Sequence, residues 1–218
     1  MYKKINKIFT LFSFVIPLIV YCLTMAPTTS FWDCGEYIAT SKILGVPHPP
    51  GSPLFLLLGN FFINIPIFND IGARVNFISP IVSALSVTFL YLIIVYLIEE
   101  FRGKTKSFSD ILINYCSAFI AAMTFAVTDA HWFNAVEAEI YGLSTFLTSI
   151  VVWMILKWGR NNEHEGVKYL LIIAYMFGLA TGLHLLNLLT LPFVGLIIYF
   201  KKFEFNFKSF LITILSTI

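Results

Sequence analysis

The sequence predicts an all-α fold, a bundle of helices that crosses a lipid bilayer several times. Hydrophobic residues occupy 58% of the 218 positions and charged residues only 12%, whereas ordinary soluble domains carry about 25% charged residues. The mean hydropathy is +0.85. A soluble chain of this length could not bury so much apolar surface in one core. We therefore expect most of the chain to be surrounded by lipid. We do not expect nucleic acid as a partner.

The first apolar run covers about residues 8–26 and follows the basic start MYKKINK. It is long enough to span a bilayer, which needs roughly 20 residues. A basic stretch before an apolar core is also typical of a signal peptide. The run is long, however, and no small-residue cleavage site is evident in it, so we predict a retained first transmembrane helix.

Residues 27–75 are predicted to form a long outer loop with two interfacial helices. The first helix is amphipathic and covers about residues 31–44. Residues 45–51 are rich in proline, which blocks helix and biases its predecessor to extended geometry. A Ser-Pro pair then opens the apolar run 54–68, as at a helix N-terminus. Two asparagines and a proline inside that run favour an interfacial helix over a full crossing.

Further apolar runs predict the remaining spans of the bundle. The last run is still short when the chain reaches Ile218, so we expect an N-terminal part of a longer membrane protein. These spans are expected at about residues 76–98, 111–128, 140–157, 168–184 and 185–200, with an incomplete one at 209–218.

The distribution of basic residues predicts the orientation of the bundle. If residues 54–68 do not cross the membrane, 12 of the 14 Lys and Arg residues lie on one side, together with the N-terminus. The positive-inside rule makes that side cytoplasmic. Only Lys42 and Arg74 then lie on the outer side, where they accompany six acidic residues. A crossing at 54–68 would instead separate the N-terminal lysines from the other basic residues.

The sharpest candidate site is the sequence FWDCGEY at residues 31–37, just beyond the first span. On a helix, Asp33, Glu36 and Tyr37 would share one face. Carboxylates beside a membrane span are costly to desolvate and usually mark a functional site. Asp33 could act as a general base toward a hydroxyl, or it could only cap a helix, because Ser30 and Asp33 match a capping box. Glu36 could support Asp33 or simply be solvated.

Other polar residues fall on the same predicted side of the membrane. His48 lies in a rigid proline-rich turn, where it could position a substrate or have no role. The second outer loop carries His131, Glu137 and Glu139, either as part of the site or as a solvated interfacial belt. No His or acid spacing here is diagnostic of a metal site, so a divalent cation remains an open alternative and no metal ligand is assigned.

His184 and Asn187 lie in an apolar stretch at residues 182–188. Polar groups at membrane depth need partners or a cavity. The two side chains could point into the same cavity as Asp33, or they could form hydrogen bonds between helices. The sequence leaves both interpretations open.

Four motifs together resemble the GT-C glycosyltransferases. Within that superfamily they are closely similar to an uncharacterised bacterial family related to the transmembrane protein O-mannosyltransferases. The resemblance covers roughly residues 8–200 and includes Arg74 before the second span. The motifs are FWDCGEY at 31–37, HPPGSP at 48–53, AVEAEIY at 135–141 and GLHLLN at 182–187.

The resemblance implies that Asp33 is the catalytic acid/base residue and that the reaction is an inverting transfer. The donor would be a sugar, such as mannose, on a polyprenyl phosphate whose lipid tail lies between helices. The acceptor would be a hydroxyl group, such as that of a Ser or Thr side chain in a protein. The family also implies a bacterial inner membrane with the site facing the periplasm. Supporting or substrate-binding roles are expected for Glu36, Tyr37, His48, Arg74, His131, Glu137, Glu139, His184 and Asn187.

Two hypotheses from other functional classes compete with a transferase. A transporter would place ionisable residues at the membrane midplane, with broken helices and repeat symmetry, whereas here the acids lie at one interface and no inverted repeat is visible. A non-catalytic membrane scaffold would tolerate Asp33→Asn without loss of function. The sequence therefore favours the transferase.

Overall fold

The computed structural model describes residues 2–160 and 163–217, and these residues form helices and no strand. The predicted all-α class is confirmed. Along the chain the helical segments are α1 (Tyr2–Thr24), α2 (Cys34–Ile43), α3 (Pro53–Ile63), α4 (Ile71–Asn76), α5 (Ile78–Arg102), α6 (Phe108–Asp110), a π-helical segment (Ile111–Cys116), α7 (Ser117–Ala126), α8 (Asp129–Ala135), α9 (Ile140–Arg160), α10 (Glu163–Thr181), a 3-10 segment (Leu185–Thr190), α11 (Leu191–Lys202) and α12 (Phe207–Thr217).

Within the described residues, five helical stretches are long and apolar enough to cross a membrane. The predicted runs at 168–184 and 209–218 correspond to shorter apolar helices, Gly166–Thr181 and Phe207–Thr217. The five candidate spans are Lys3–Thr24, Ile71–Arg102, Phe108–Ala126, Ile140–Arg160 and Leu185–Lys202.

Helix α5 is the centre of the bundle and packs against α1, α7 and α9. Small residues let these helices approach closely, as is usual between membrane helices. On α7, Ala118 and Ala122 are fully buried. On α9, a Cβ added at Gly142 would lie 2.9 Å from the Oγ of Ser83 on α5, so no larger residue fits there without a shift. This close packing fixes where α9, and the loop before it, meet α5.

Helices α2 and α3 form a short pair outside the five candidate spans. With 11 residues, α3 is about 16 Å long, too short for a hydrocarbon core of about 30 Å. The pair is tightly packed, because a Cβ at Gly59 would lie 2.8 Å from the Cβ of Ser41. The predicted first interfacial helix is shorter than expected: it begins only at Cys34, since Trp32 has a left-handed backbone with φ of +58°.

Two loops meet at one end of the bundle, which we call the loop end. The first loop is residues 25–77, between α1 and α5, and the second loop is residues 127–139, between α7 and α9. A backbone hydrogen bond of 2.8 Å from the N–H of Ala26 to the carbonyl of Val136 joins them. The candidate site residues discussed below lie in these two loops or in the turn after α10, except Tyr141 at the start of α9 and Asn187 in the 3-10 segment.

Candidate active site

The fully buried side chain of Asn76 ties the two loops together. Its amide nitrogen donates to the carbonyls of Ala26 and Thr28, both at 2.8 Å. Its Oδ1 accepts the backbone N–H of Ala138 at 2.9 Å and lies 3.5 Å from the thiol sulfur of Cys34. Both donors and the acceptor of the amide are thus in use. One side chain therefore fixes the start of the first loop, the start of α2 and the second loop.

A second tie between the loops is a hydrogen bond from the Ser30 hydroxyl to the Glu137 carboxylate. Glu137 is buried, and burial raises the pKa of its carboxyl. The capping-box interpretation of Ser30 and Asp33 is wrong. Asp33 does occupy the N-cap position of α2, but its side chain makes no capping hydrogen bond. Ser30 bonds across to the second loop instead, and the Asp33 carboxyl is not used as a cap.

Asp33, Glu36 and His48 form a chain of contacts at the surface of the first loop. Glu36 holds His48 twice: one carboxylate oxygen accepts the backbone N–H and the other lies on ring Nδ1, both at 2.7 Å. The other ring nitrogen, Nε2, lies 3.9 Å from Oδ2 of Asp33. The hydrogen bond between the two side chains lowers the pKa of Glu36 and raises the pKa of His48. The imidazole of His48 therefore lies between the side chains of Glu36 and Asp33.

The ring of Tyr37 packs against the imidazole of His48 in this contact chain. Tyr37 is buried, and its ring centroid lies 5.9 Å from that of His48 and 5.4 Å from that of Phe55. Burial raises the pKa of the phenol to about 12. Tyr37 is consequently neutral at physiological pH and acts here as a packing surface that fixes the imidazole.

A pocket of about 210 Å³ opens beside Asp33, between the two loops. Glu139 enters it from the second loop; the residue is only 4% exposed, and its Oε2 has no hydrogen-bond partner among the described residues. Burial, and then the charge of Asp33, raise the pKa of Glu139 to about 7. The pocket therefore pairs a half-exposed carboxylate with a buried carboxyl. Its lining residues are Trp32, Asp33, Phe133, Asn134, Glu139 and Tyr141.

The raised pKa of Glu139 makes stability depend on pH. The folded protein holds this proton up to about pH 7, whereas an ordinary glutamate loses it near 4.5, so the folded state loses stability as the pH rises from about 5 to about 8. The difference corresponds to roughly 3 kcal/mol at the upper end of this window. Glutamine has nearly the same shape as glutamic acid but does not titrate in this pH range. We therefore expect Glu139→Gln to remove the contribution of this carboxyl to the pH dependence of stability.

The measurement is the Tm of both proteins in detergent across that pH window. The wild type should lose more stability than Glu139→Gln as the pH rises, because the other acids titrate in both proteins alike. Parallel curves for the two proteins would mean that the Glu139 carboxyl is not desolvated.

The turn after α10 joins the first loop through backbone carbonyls. The hydroxyl of Ser52 donates to the carbonyl of Leu183 at 2.9 Å, and the backbone N–H of Leu54 donates to the carbonyl of Gly182 at 3.0 Å. Ser52 is the N-cap residue of α3, followed by Pro53 as predicted, but its hydroxyl makes this contact instead of capping the helix. The HPPGSP and GLHLLN motifs are therefore in direct contact.

His184 lies near the pocket, whereas Asn187 lies between helices. The ring of His184 is 5.8 Å from the ring of Tyr141, which lines the pocket, and its Nδ1 accepts the backbone N–H of Leu186. Asn187 is buried; its Oδ1 accepts the hydroxyls of Ser144 and Thr148 on α9. Asn187 thus connects the 3-10 segment to α9.

Two other predicted site residues contact groups outside the pocket. Arg74 donates to the carbonyls of Ile63 and Phe68, at 2.7 and 2.6 Å, so it holds the chain between α3 and α4. His131 is buried, with its ring centroid 4.3 Å from that of Phe125. Burial lowers the pKa of His131, and its Nε2 has no partner among the described residues.

Asp33, Glu36 and His48 also form a group that could hold a cation. Each offers one ligand atom, and these atoms lie within 4.8 Å of one another. Imidazole nitrogen and carboxylate oxygen are both donors that divalent metals accept. The three side chains already contact one another in the described structure, however, so their arrangement does not by itself require an ion.

Sequence reasoning passed over Asn76, Trp32 and Asn134. Asn76 carried a usable signal, since a polar residue beside a transmembrane run needs partners. Trp32 lies inside the FWDCGEY motif, next to the predicted catalytic residue, whereas Asn134 carried no signal because a single amide residue in a loop is ordinary.

Residues 33–206 match a protein family described as the Protein O-mannosyl-transferase TMEM260 N-terminal domain. The chain belongs to this family. The matched region begins at Asp33 and contains the second loop and the turn after α10, so most of the pocket lies inside the TMEM260 N-terminal domain.

Two relatives carry the name protein O-mannosyl-transferase TMEM260. The one from Dictyostelium discoideum is 25% identical over 193 residues, which cover 83% of this chain and 22% of the relative. The one from Mus musculus is 26% identical over 168 residues, which cover 77% of this chain and 22% of the relative. The chain therefore spans about a fifth of the length of these relatives. No solved structure matches it.

Proposed function

We propose that this chain carries the catalytic pocket of a membrane glycosyltransferase of the GT-C type. The enzyme would move mannose from a polyprenyl-phosphate carrier to a Ser or Thr hydroxyl of a protein. The observation that supports this most is the pocket between the loops, where Asp33 faces a buried Glu139 contributed by a distant part of the chain. The names of the relatives support the sugar and the class of acceptor.

In the proposed reaction Asp33 acts as general base. The acceptor oxygen attacks the anomeric carbon of mannose and gives its proton to the Asp33 carboxylate. The bond between that carbon and the carrier phosphate breaks, and the phosphate leaves with the electron pair. A single displacement of this kind inverts the anomeric carbon. The half-exposed carboxylate suits the role because it is accessible and has no capping hydrogen bond.

Glu36 and His48 would act as positioning residues for Asp33. Glu36 fixes the ring of His48 through Nδ1 and leaves Nε2 turned toward Asp33, at 3.9 Å. The imidazole therefore contacts Asp33 from one side and leaves the rest of this half-exposed side chain open to an acceptor. After transfer, the half-exposed Asp33 carboxyl releases its proton to solvent.

We place the N-terminus in the cytoplasm and the loop end on the opposite face of the membrane, which is the periplasm in a bacterium. The basic residues support this orientation, because 12 of the 14 are predicted on the N-terminal side. At that end Arg160 forms an ion pair with Glu100, and its guanidinium lies 3.7 Å from the ring centroid of Tyr96.

The donor is tested with the full-length protein in vesicles and an acceptor peptide that contains Ser and Thr. We expect mannose transfer from polyprenyl-phosphate mannose and none from GDP-mannose. A peptide with Ala at every Ser and Thr is the control and should receive no sugar. Transfer from GDP-mannose alone would contradict the lipid-linked donor, and no transfer from either donor would contradict the proposed function.

A further inference from the structure

Trp32 is held out of the protein core by an unusual backbone conformation. Its side chain is 82% exposed, although a large aromatic ring normally gains by burial. Its φ is +58°, a left-handed value that is a genuine outlier for a bulky residue. The segment is fixed on both sides, by the bond of Ser30 to Glu137 and by the start of α2 at Cys34. The fold therefore holds Trp32 in a left-handed conformation with its ring exposed beside the pocket.

The pocket beside Trp32 combines aromatic rings with polar atoms that lack partners. Phe133 and Tyr141 also line it and are both partly exposed. Asn134 donates its amide nitrogen to the carbonyl of Ala130 at 2.7 Å, and no described residue donates to its Oδ1. The Oε2 of Glu139 is buried and unpartnered in the same pocket. A buried polar atom without a partner is costly, so the Glu139 carboxyl indicates a ligand that brings hydrogen bonds, and the half-buried Asn134 offers a second acceptor beside it.

The size of the pocket limits what that ligand can be. Its volume of about 210 Å³ is below the roughly 300–1,000 Å³ of pockets for drug-sized ligands, so it suits a single ring. The ligand must offer an apolar face to Trp32 and hydroxyl groups to Asn134 and Glu139. A pyranose has both, because its axial C–H bonds form an apolar face and its edges carry hydroxyls. A peptide segment would need a longer groove.

We propose that this pocket binds the pyranose ring of the transferred sugar, with the indole of Trp32 stacked on the C–H face of the sugar. Asn134 Oδ1 and the Glu139 carboxyl then form hydrogen bonds with its hydroxyls. Since Asp33 follows Trp32 and lines the same pocket, a stacked sugar lies beside the proposed base. The inference rests on the proposed function only for the statement that the bound sugar is the one transferred.

Binding is tested without turnover, by the tryptophan fluorescence of the full-length protein in detergent. Titration with methyl α-D-mannopyranoside should give a saturable change that Trp32→Ala loses. Phe31→Ala is the matched control, because Phe31 is 83% exposed and adjacent but does not line the pocket; it should keep the change. A wild type that does not respond, or a Trp32→Ala protein that responds like the wild type, overturns the proposal.

Kinetics then test whether the bound sugar is the donor sugar. Trp32→Ala should raise the KM for polyprenyl-phosphate mannose about tenfold, the value of one good aromatic contact, with a smaller effect on kcat. Trp32→Phe should have a KM between those of the wild type and Trp32→Ala, and Phe31→Ala should have the KM of the wild type. Equal losses in Trp32→Ala and Phe31→Ala would make both rings membrane anchors and overturn the proposal. If the wild type shows no transfer at all, the proposed function fails, while the fluorescence titration still decides whether the pocket binds a pyranose.

Discussion

Asn76→Ala should lower the free energy of unfolding by roughly 2–4 kcal/mol, because it leaves polar backbone groups of both loops without partners. The groups affected are the carbonyls of Ala26 and Thr28 and the buried N–H of Ala138. Since these bonds hold the two loops together, transfer activity should fall with stability. The measurement is unfolding of the purified protein in detergent, followed by circular dichroism.

Asn64→Ala is the matched control for this change. Asn64 is exposed, and its amide makes a local bond to the carbonyl of Asn60. Its removal should alter stability by no more than about 0.5 kcal/mol, as for most surface substitutions. If Asn76→Ala and Asn64→Ala have the same free energy of unfolding, the Asn76 amide does not hold the two loops together.

The helices of the bundle could be predicted because lipid exposure imposes a simple rule on sequence. A stretch that faces hydrocarbon must be apolar throughout and must satisfy its own backbone as a helix. The residues at helix ends do not obey that rule. Thus α1 begins at Tyr2, before the apolar run predicted from residue 8, because lysines are good helix formers but lower the hydropathy.

Part of the candidate site could be predicted because its residues are close in sequence. Asp33 and Glu36 lie at the start of α2, and His48 lies in the proline-rich turn that follows the same helix, so local geometry brings them together. Arg74 and His131 were expected to join them, but Arg74 contacts the chain between α3 and α4 and His131 packs against Phe125. Their direction depends on packing between helices, which spacing along the chain does not contain.

The capping box shows how tertiary contacts can override a local pattern. Ser30 and Asp33 have the right spacing, yet Ser30 bonds to Glu137, which is 107 positions away in the sequence. Asp33 itself occupies the N-cap position of α2, but its side chain makes no capping bond. The local pattern therefore predicted a capping role that neither side chain has.

Asp33→Asn should reduce the transfer rate by a factor of about 10²–10⁴, the contribution typical of a general acid or base. The amide has nearly the same shape as the carboxylate but cannot accept a proton from the acceptor hydroxyl. The fold should not change, because the Asp33 side chain makes no capping bond and is half exposed. The loss should appear in kcat with full-length protein of unchanged Tm.

The most direct test compares initial rates of mannose transfer for three full-length proteins in matched vesicles. They are the wild type, Asp33→Asn and Asp129→Asn, the last changing an exposed acid at the start of α8. We predict that Asp33→Asn retains about 1% of the wild-type rate or less, and that Asp129→Asn retains nearly all of it. An Asp33→Asn protein that transfers mannose as fast as the wild type would contradict the account and leave the two loops with a structural role only.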